Sequence, residues 1–591
     1  MKLSPQQEAA RTAGDYARIV AGPGSGKTTL LVARTQYLVE RHGARVGLVT
    51  FANAAAAEMR ARLQGVVAAD DVEVATFDAF ARRQMLHKLQ GRRPPRGFES
   101  KIMIRRALQE TQLPLEEKEA ALYIEELHHY LNPEQAHPTA WQLYEAYQSL
   151  MTRDGLIDFA EIARQSVHGM RAGEVQPIPV THLLVDEYQD TAPIQYAWME
   201  EHWTRGVKVT VVGDDDQSIY GFRQALGYKG MEDFAEATGA ETHPIEGCYR
   251  CAPEIIEASG ALIAHNRGRL DKTVRSMLNI EGEVSAGWIA NPKMRMQVLE
   301  RFIGLDRDVT GILARTNRVL DGIELYLSTH RYVVHRSGGN SFWDVPSNAL
   351  MLALIEAACL PTEDSATALT NALSWADVSE QRVAAYRSHL MRNGLFAPLP
   401  ESLARAPVVR GLHEEFAIWA DAADSGVEFV LVDGVTDWLT SHASNKQEAR
   451  AAAAAGRALQ RDSDQSLLQR VLSAGRGGRN QAGVTPEPDP QAIGTVELAT
   501  MHGAKGREWS SVWIANADEE VVPSKHALAE GVVGIEEERR LFYVAMTRAK
   551  RRLFIACSTD PSRFITQAGL SVERYAEAEH DDMENYDQAS A

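Results

Sequence analysis

The sequence predicts an α/β protein built on two mostly parallel sheets, each interrupted by a long helical insertion. Three observations carry this expectation. Short β-branched runs alternate with long helical stretches, the pattern of strand–helix–strand crossovers. The runs fall in two clusters, 16–214 and 309–557. Each cluster is split by a helix-rich segment with charged faces, 89–170 in the first and 351–470 in the second.

In chain order the first cluster holds the runs 16–21, 44–51, 72–77, 182–186 and 207–213, and the second holds 309–314, 495–500, 512–517 and 552–557. The alanine-dense EARAAAAAGRALQ at 448–460 belongs to the second helical segment. Residues 475–493 are rich in Gly and Pro and predict a linker returning to the second sheet. From about residue 573 the chain is acidic and sparse in apolar side chains, which predicts a disordered tail. There is no internal repeat.

A chain of 591 residues exceeds what one core can hold and implies several domains. Its 45% hydrophobic and 24% charged residues match a globular protein. No apolar run is long enough to span a bilayer, and the opening MKLSPQQEAA lacks the apolar core of a secretory signal, so a cytoplasmic location and no membrane partner are expected. The net charge of −18 argues against a uniformly basic coat for nucleic acid but leaves room for a basic channel. Four cysteines, at 248, 251, 359 and 557, are too few for a disulfide scaffold. Cys248 and Cys251 form a C-x-x-C without the further ligands of a metal site or the setting of a redox site.

The stretch AGPGSGKTTL, 21–30, follows an apolar run and reads as strand, tight loop and helix start. A loop with few Cβ atoms can curl its N–H groups around a phosphate while the next helix points its positive end at it. Ala21, Gly22, Pro23, Gly24, Ser25, Gly26, Lys27, Thr28 and Thr29 make up this candidate ATP loop. Lys27 is placed to reach the β/γ-phosphates and Thr28 to ligand Mg²⁺. Taken alone, the loop has a competing, weaker reading as a Gly-rich turn with a solvated lysine. THLLVDEYQDT, 181–191, adds Asp186 as a Mg²⁺ ligand and Glu187 as the residue activating water. In VVGDDDQSIYGFRQA, 211–225, Gln217 is placed to sense the γ-phosphate, and Tyr220 and Phe222 offer flat faces to bases. For those two aromatics core packing is the competing reading.

With LSPQQ (3–7), LVTFANAAAAEMRAR (48–62), ATFDAFARR (75–83), DGLIDFAEI (154–162), CYRCAPEI (248–255), TMHGAKGREW (500–509) and EEERRLFYVAMTRAK (536–550), these motifs resemble, in order and spacing, the UvrD/Rep/PcrA-like superfamily 1 DNA helicases. The resemblance implies two RecA-like P-loop motor domains. The first (1A) would be 1–88 and 171–248 with helical insertion 1B at 89–170; the second (2A) would be 249–350 and 491–572 with insertion and linker 2B at 351–490; 573–591 would be the tail. It implies that Gln7 reads adenine, Tyr249 stacks on it, Arg250 meets the γ-phosphate, Glu508 touches the ribose and Arg548 is an arginine finger. It also implies that Phe51, Asn53, Thr76, Tyr220, Phe222, Arg223 and His502 contact DNA.

Four positions depart from the family pattern. Ala54 stands for Lys, Asp78 for His, Phe222 for Trp and Cys248 for Asn. The first two remove positive charge and hydrogen bonding from the expected DNA track. The expectation is an ATP- and Mg²⁺-dependent helicase or translocase moving 3′→5′ on single-stranded DNA, acting at single-strand/duplex junctions with a loading or repair protein as partner. The alternatives are a translocase that displaces proteins without efficient unwinding, and a regulatory subunit with a structural ATP site. Lys27, Glu187, Gln217, Arg250 and Arg548 are all present, which argues against the last.

Overall fold

The computed structural model describes residues 3–95, 97–135, 138–221, 224–328, 330, 332–337, 341–362, 365–460, 465–478 and 493–575. Phe222 and Arg223, most of the expected linker (479–492) and 576–591 of the expected tail lie outside the described residues, whereas Glu573 and Arg574, expected to open that tail, end the strand Val572–Arg574. The chain divides into two compact units, one of Met1–Gly282, Pro523–Thr547 and Gln567–Gly569, the other of Glu283–Val522, Arg548–Thr566 and Leu570–Ala591. The first unit therefore takes in 249–282 and 523–547, which the resemblance allots to the second motor.

The sheet of the first unit has six parallel strands: β1 (Ala17–Ala21), β2 (Val46–Thr50), β3 (Val72–Thr76), β4 (His182–Val185), β5 (Lys208–Gly213) and β6 (Glu241–Ile245), in the order β3-β2-β4-β5-β1-β6. Both faces are covered, and the alternation of side chains shows it. Ile19, Leu48, Leu184 and Val212 enter one core with Leu30, Leu31 and Leu38 of the helix Lys27–His42. Their neighbours Val20, Val49, Val185 and Val211 enter the other with Phe77, Phe80 and Trp198. Each such fully buried aliphatic side chain is worth about 1.5–3 kcal/mol, so register is set from both sides. Strand β6 carries Pro244 and pairs only with β1, an edge position where a missing N–H is tolerated.

Between β3 and β4 the helices Gly97–Thr111, Glu117–Leu127 and Pro138–Arg153 gather a core of their own around Ile124, Leu143, Tyr144 and Tyr147. The helix Phe159–Arg171 instead packs on the sheet through Ile162, Val167 and Met170. After β6, two short parallel strands, β7 (Gly247–Cys248) and β8 (Arg275–Ser276), bring the chain around 270 back beside the sheet.

The second unit has seven parallel strands: β9 (Glu283–Trp288), β10 (Thr310–Ala314), β11 (Tyr332–Ser337), β12 (Gly494–Thr500), β13 (Trp509–Ala515), β14 (Ala549–Cys557) and β15 (Val572–Arg574), in the order β11-β12-β10-β13-β14-β9-β15. Trp513 and Phe554 stack across neighbouring strands with centroids 4.4 Å apart. Among the described residues its insertion contains helices and no strand, with Leu354, Phe416, Trp419 and Trp438 at the centre. There the alanine-dense helix Lys446–Leu459 approaches its neighbour so closely that a Cβ at Gly456 would fall 2.3 Å from Thr436 Oγ1.

Candidate nucleotide site

Register places the site. Val20 of β1 lies across from Gly213 of β5, and Val185 of β4 across from Val211. The loop after β1, the acids after β4 and the Asp-rich turn after β5 therefore leave the sheet side by side at its carboxyl edge, where open parallel sheets bind ligands. The loop turns through Gly24 at φ +62° and Gly26 at φ +78°, left-handed conformations that favour glycine. Lys27 opens the following helix, and its Nζ donates to the Ala21 carbonyl at 3.3 Å, across the mouth of the loop. Ser25 Oγ donates to the Gly22 carbonyl at 2.7 Å.

Gln7 is 5% exposed and bridges two elements. Its Oε1 accepts from the Ser4 N–H in a capping box, and its Nε2 donates to the Ser25 carbonyl at 2.9 Å. The expected adenine reader thus ties the first helix to the phosphate loop. On the far side the Tyr249 N–H donates to the Gly24 carbonyl at 2.8 Å. Tyr249 is 45% exposed, as a stacking platform requires.

Asp186 N–H donates to the Val49 carbonyl, and Asp186 Oδ1 accepts the Glu187 N–H at 2.9 Å. Glu187 sits at φ +48°, a strained turn for a non-glycine residue. Gln189, fully buried, donates from Nε2 to Glu187 Oε2 at 2.5 Å and accepts the Asp214 N–H at 3.0 Å through Oε1. Gln217 Nε2 in turn donates to Asp214 Oδ2 at 2.6 Å. Asp214, Asp215 and Asp216 are all buried and form the one cluster of metal-ligating type among the described residues. Their charge is met by Lys272 Nζ, 2.9 Å from Asp214 and from Asp216 and hydrogen-bonded to Asp215, and by Arg269 on Asp216 at 2.7 Å. Burial works to raise the Asp214 carboxyl, but Lys272 and Lys27 together hold it below its usual range. Burial pushes Asp215 up to about 6.

Cys248 and Cys251 are buried free thiols. The hydrogen bond from Cys251 draws the Cys248 thiol down to about 6. Their place is structural as far as contacts go: Cys251 N–H reaches Cys248 Sγ at 3.4 Å, and Cys251 Sγ donates to the Thr547 carbonyl at 3.5 Å.

The expected DNA contacts are spread over both units. In the first unit Phe51 makes an edge contact with Phe77 at 6.3 Å, Asn53 is exposed at the start of the helix Asn53–Leu63, and Thr76 caps the helix Phe77–Met85 through the Ala79 N–H. Tyr220 is half-buried. In the second unit the His502 imidazole is held down to about 4 by burial and by its cationic neighbours Arg315 and Lys505. Glu508 pairs with Lys550 at 2.9 Å, and Arg548 is 2% exposed with Nη1 donating to the Arg507 carbonyl at 3.3 Å. Three residues that shape the site escape a sequence reading. Gln189 and Asp214 stand inside quoted motifs without a stated role, and Lys272 has no local signal at all.

A glycine loop at the carboxyl end of an inner parallel strand, followed by a helix that starts on Lys27 and flanked by strand-end carboxylates, defines the first unit as a P-loop nucleotide-binding module. The model of the UvrD/REP helicase N-terminal domain matches residues 3–234, and that of the UvrD-like helicase C-terminal domain matches 485–560. The chain belongs to the UvrD-like helicase family, a family of DNA-dependent ATPases. It is 28% identical to DNA helicase II of Escherichia coli, over 95% of this chain and 86% of that protein. It is 25% identical to the ATP-dependent DNA helicase PcrA of Leuconostoc citreum, over 95% and 84%. Against the ATP-dependent DNA helicase UvrD1 of Mycobacterium leprae it is also 25% identical, over 94% and 82%.

Proposed function

We propose that this protein is an ATP-driven DNA helicase that steps 3′→5′ along single-stranded DNA and opens duplex at junctions. The observation that supports it most is the convergence of the phosphate loop, Asp186–Glu187 and Gln217 at one sheet edge, joined by the Gln189 and Asp214 hydrogen bonds. In this reading the loop N–H groups and Lys27 bind the β/γ-phosphates, Glu187 takes a proton from the attacking water, and the Gln217 carboxamide meets the γ-phosphate. Arg250 and the finger Arg548 meet charge that develops on the transferred group. Thr28 and Asp186 offer the hard oxygen donors that suit Mg²⁺, and would hold it. When bound, that ion neutralises charge on the phosphate oxygens. Tyr249 holds the base by stacking.

Grip on DNA comes from phosphate contacts and base stacking, with Phe51, Asn53, Thr76, Tyr220 and His502 on the DNA path, so sequence preference is low. Phe222 and Arg223 belong to the same proposal, as do Glu508 at the ribose and a cytoplasmic setting. Among the described residues no helix is long and apolar enough to cross a membrane.

The test measures ATPase activity with and without single-stranded DNA, then strand displacement on duplexes with a 3′ or a 5′ tail. DNA-stimulated hydrolysis with opening of the 3′-tailed duplex is expected. Stimulation without strand displacement selects the protein-displacing translocase, which Ala54 and Asp78 would favour. Hydrolysis indifferent to DNA defeats both.

A further inference from the structure

Lys272 lies outside every motif named above, yet it reaches the turn that carries Gln217. Its Nζ, almost wholly buried, meets all three carboxylates of the 214–216 turn. The pairing of β7 with β8 brings its segment there, and the Leu270 N–H fixes the approach by donating to Asp215 Oδ2 at 2.8 Å. From Asp214 two branches run outward. The side chain accepts from Gln217 Nε2, and the main-chain N–H donates to Gln189, whose amide holds Glu187. Gly213 lets the branches meet: a Cβ there would lie 2.5 Å from Gln189 Oε1 and 3.2 Å from the Gln189 nitrogen.

We propose that Lys272 is a positioning residue for ATP hydrolysis: by anchoring Asp214 it fixes, in one buried network, both the carboxamide of Gln217 and the carboxylate of Glu187. The inference rests on the catalytic roles given to those two residues above.

The physical case is one of geometry under charge. Asp214 has two side-chain oxygens. Oδ1 takes the Lys272 ammonium at 2.9 Å and the Asp216 N–H at 3.3 Å, and Oδ2 takes Gln217, so the ammonium is the closer of the two groups that leave Oδ2 to the carboxamide. Without Lys272 only the Asp216 N–H, at 3.3 Å, still holds Oδ1, the charge of Lys27 pulls on the carboxylate unopposed, and the Gln217 amide faces a less firmly fixed acceptor. A displacement of about 1 Å in a catalytic group is enough to cost about 10²-fold in rate. Binding of the nucleotide depends on the loop and on Lys27, on which Asp214 acts by charge.

Removing a cation from among three buried carboxylates threatens folding by itself. The test therefore compares Lys272→Met/Asp215→Asn with Asp215→Asn alone, because the pair of changes leaves the cluster with the same one uncompensated negative charge as the parent. Lys272→Arg serves as the conservative variant and Glu187→Gln as the check on the underlying roles. DNA-stimulated kcat is counted per nucleotide-binding site, titrated with a fluorescent ATP analogue, so that only folded protein is scored.

The double variant is expected to lose about tenfold or more in kcat per site with KM for ATP within about threefold, and Lys272→Arg to retain kcat within about threefold. A double variant within twofold of Asp215→Asn overturns the proposal. So does the absence of nucleotide-binding sites in both Lys272 variants, which makes Lys272 a folding residue. If Glu187→Gln itself hydrolyses normally, the reading of the site fails; if only the Lys272 variants stay active, the inference alone fails.

Discussion

The main-chain N–H of Tyr249 donates to the carbonyl of Gly24 at 2.8 Å, so the phosphate loop and the segment bearing the exposed aromatic are one piece of backbone architecture. The approach is tight enough that residue 24 has no room for a side chain. A Cβ there would stand 2.5 Å from Arg250 Cβ and 2.9 Å from Cys248 Sγ, on a residue already at φ +62°.

Gly24→Ala is therefore expected to weaken ATP binding at least about tenfold, combining left-handed strain of about 1–2 kcal/mol with overpacking of about 1–3 kcal/mol. Gly22→Ala is the contrast. Its Cβ would meet only the side chain of Val274, at 2.8 Å, and its φ is not positive, so a milder loss is expected. Titration of both variants with a fluorescent nucleotide decides; equal affinities would mean that the loop does not depend on the Tyr249 segment.

Much of this arrangement was legible in the sequence, and the illegible parts have physical reasons. Strands β1, β2, β4, β5 and β10 are short buried apolar runs, which hydrophobic patterning detects. Strand β6, ETHPI, is a polar edge strand with a proline, and nothing in its composition distinguishes it from a loop. The phosphate loop announces itself because its glycines must be glycines. Lys272 does not, because a lysine is ordinarily a solvated residue and only β7–β8 pairing carries this one into the 214–216 turn. The resemblance allots helix Val532–Met546 to the second motor. Its contacts group it with the first unit: Asn266 Nδ2 donates to the Glu536 carbonyl and Arg540 Nε to the Ser218 carbonyl, pairings that no local sequence signal announces.

Lys27→Ala and Glu187→Gln are both expected to abolish turnover by different routes. Lys27 is the cation at the loop mouth, and its loss should weaken nucleotide binding. Glu187→Gln keeps the shape and the hydrogen-bonding capacity toward Gln189 while removing the base, so ATP should remain bound and unhydrolysed. Nucleotide affinity measured beside single-turnover hydrolysis separates the two. Equal losses of affinity in both variants would contradict the assigned roles.

His202 predicts how the first unit responds to acid. It is fully buried, its Nε2 accepts the Ile178 N–H at 3.1 Å, and its Nδ1 therefore carries the proton that it donates to the Trp198 carbonyl at 2.7 Å. Protonating Nε2 would break the first bond and bury a charge, and burial holds the imidazole down to about 4. The folded pKa thus lies below the unfolded value of about 6.5. The unfolded chain takes the proton first, so stability is fully present above about pH 6.5 and falls as pH drops from there toward 4. At pH 5 the loss from this residue alone is about 2 kcal/mol. His202→Gln removes the titration: the variant should melt below the parent at pH 7, and the gap should narrow by pH 5 as the parent loses the contribution of its histidine. Melting temperatures of the two proteins across that range provide the measurement, and a gap that stays constant would show that another group governs the acid response.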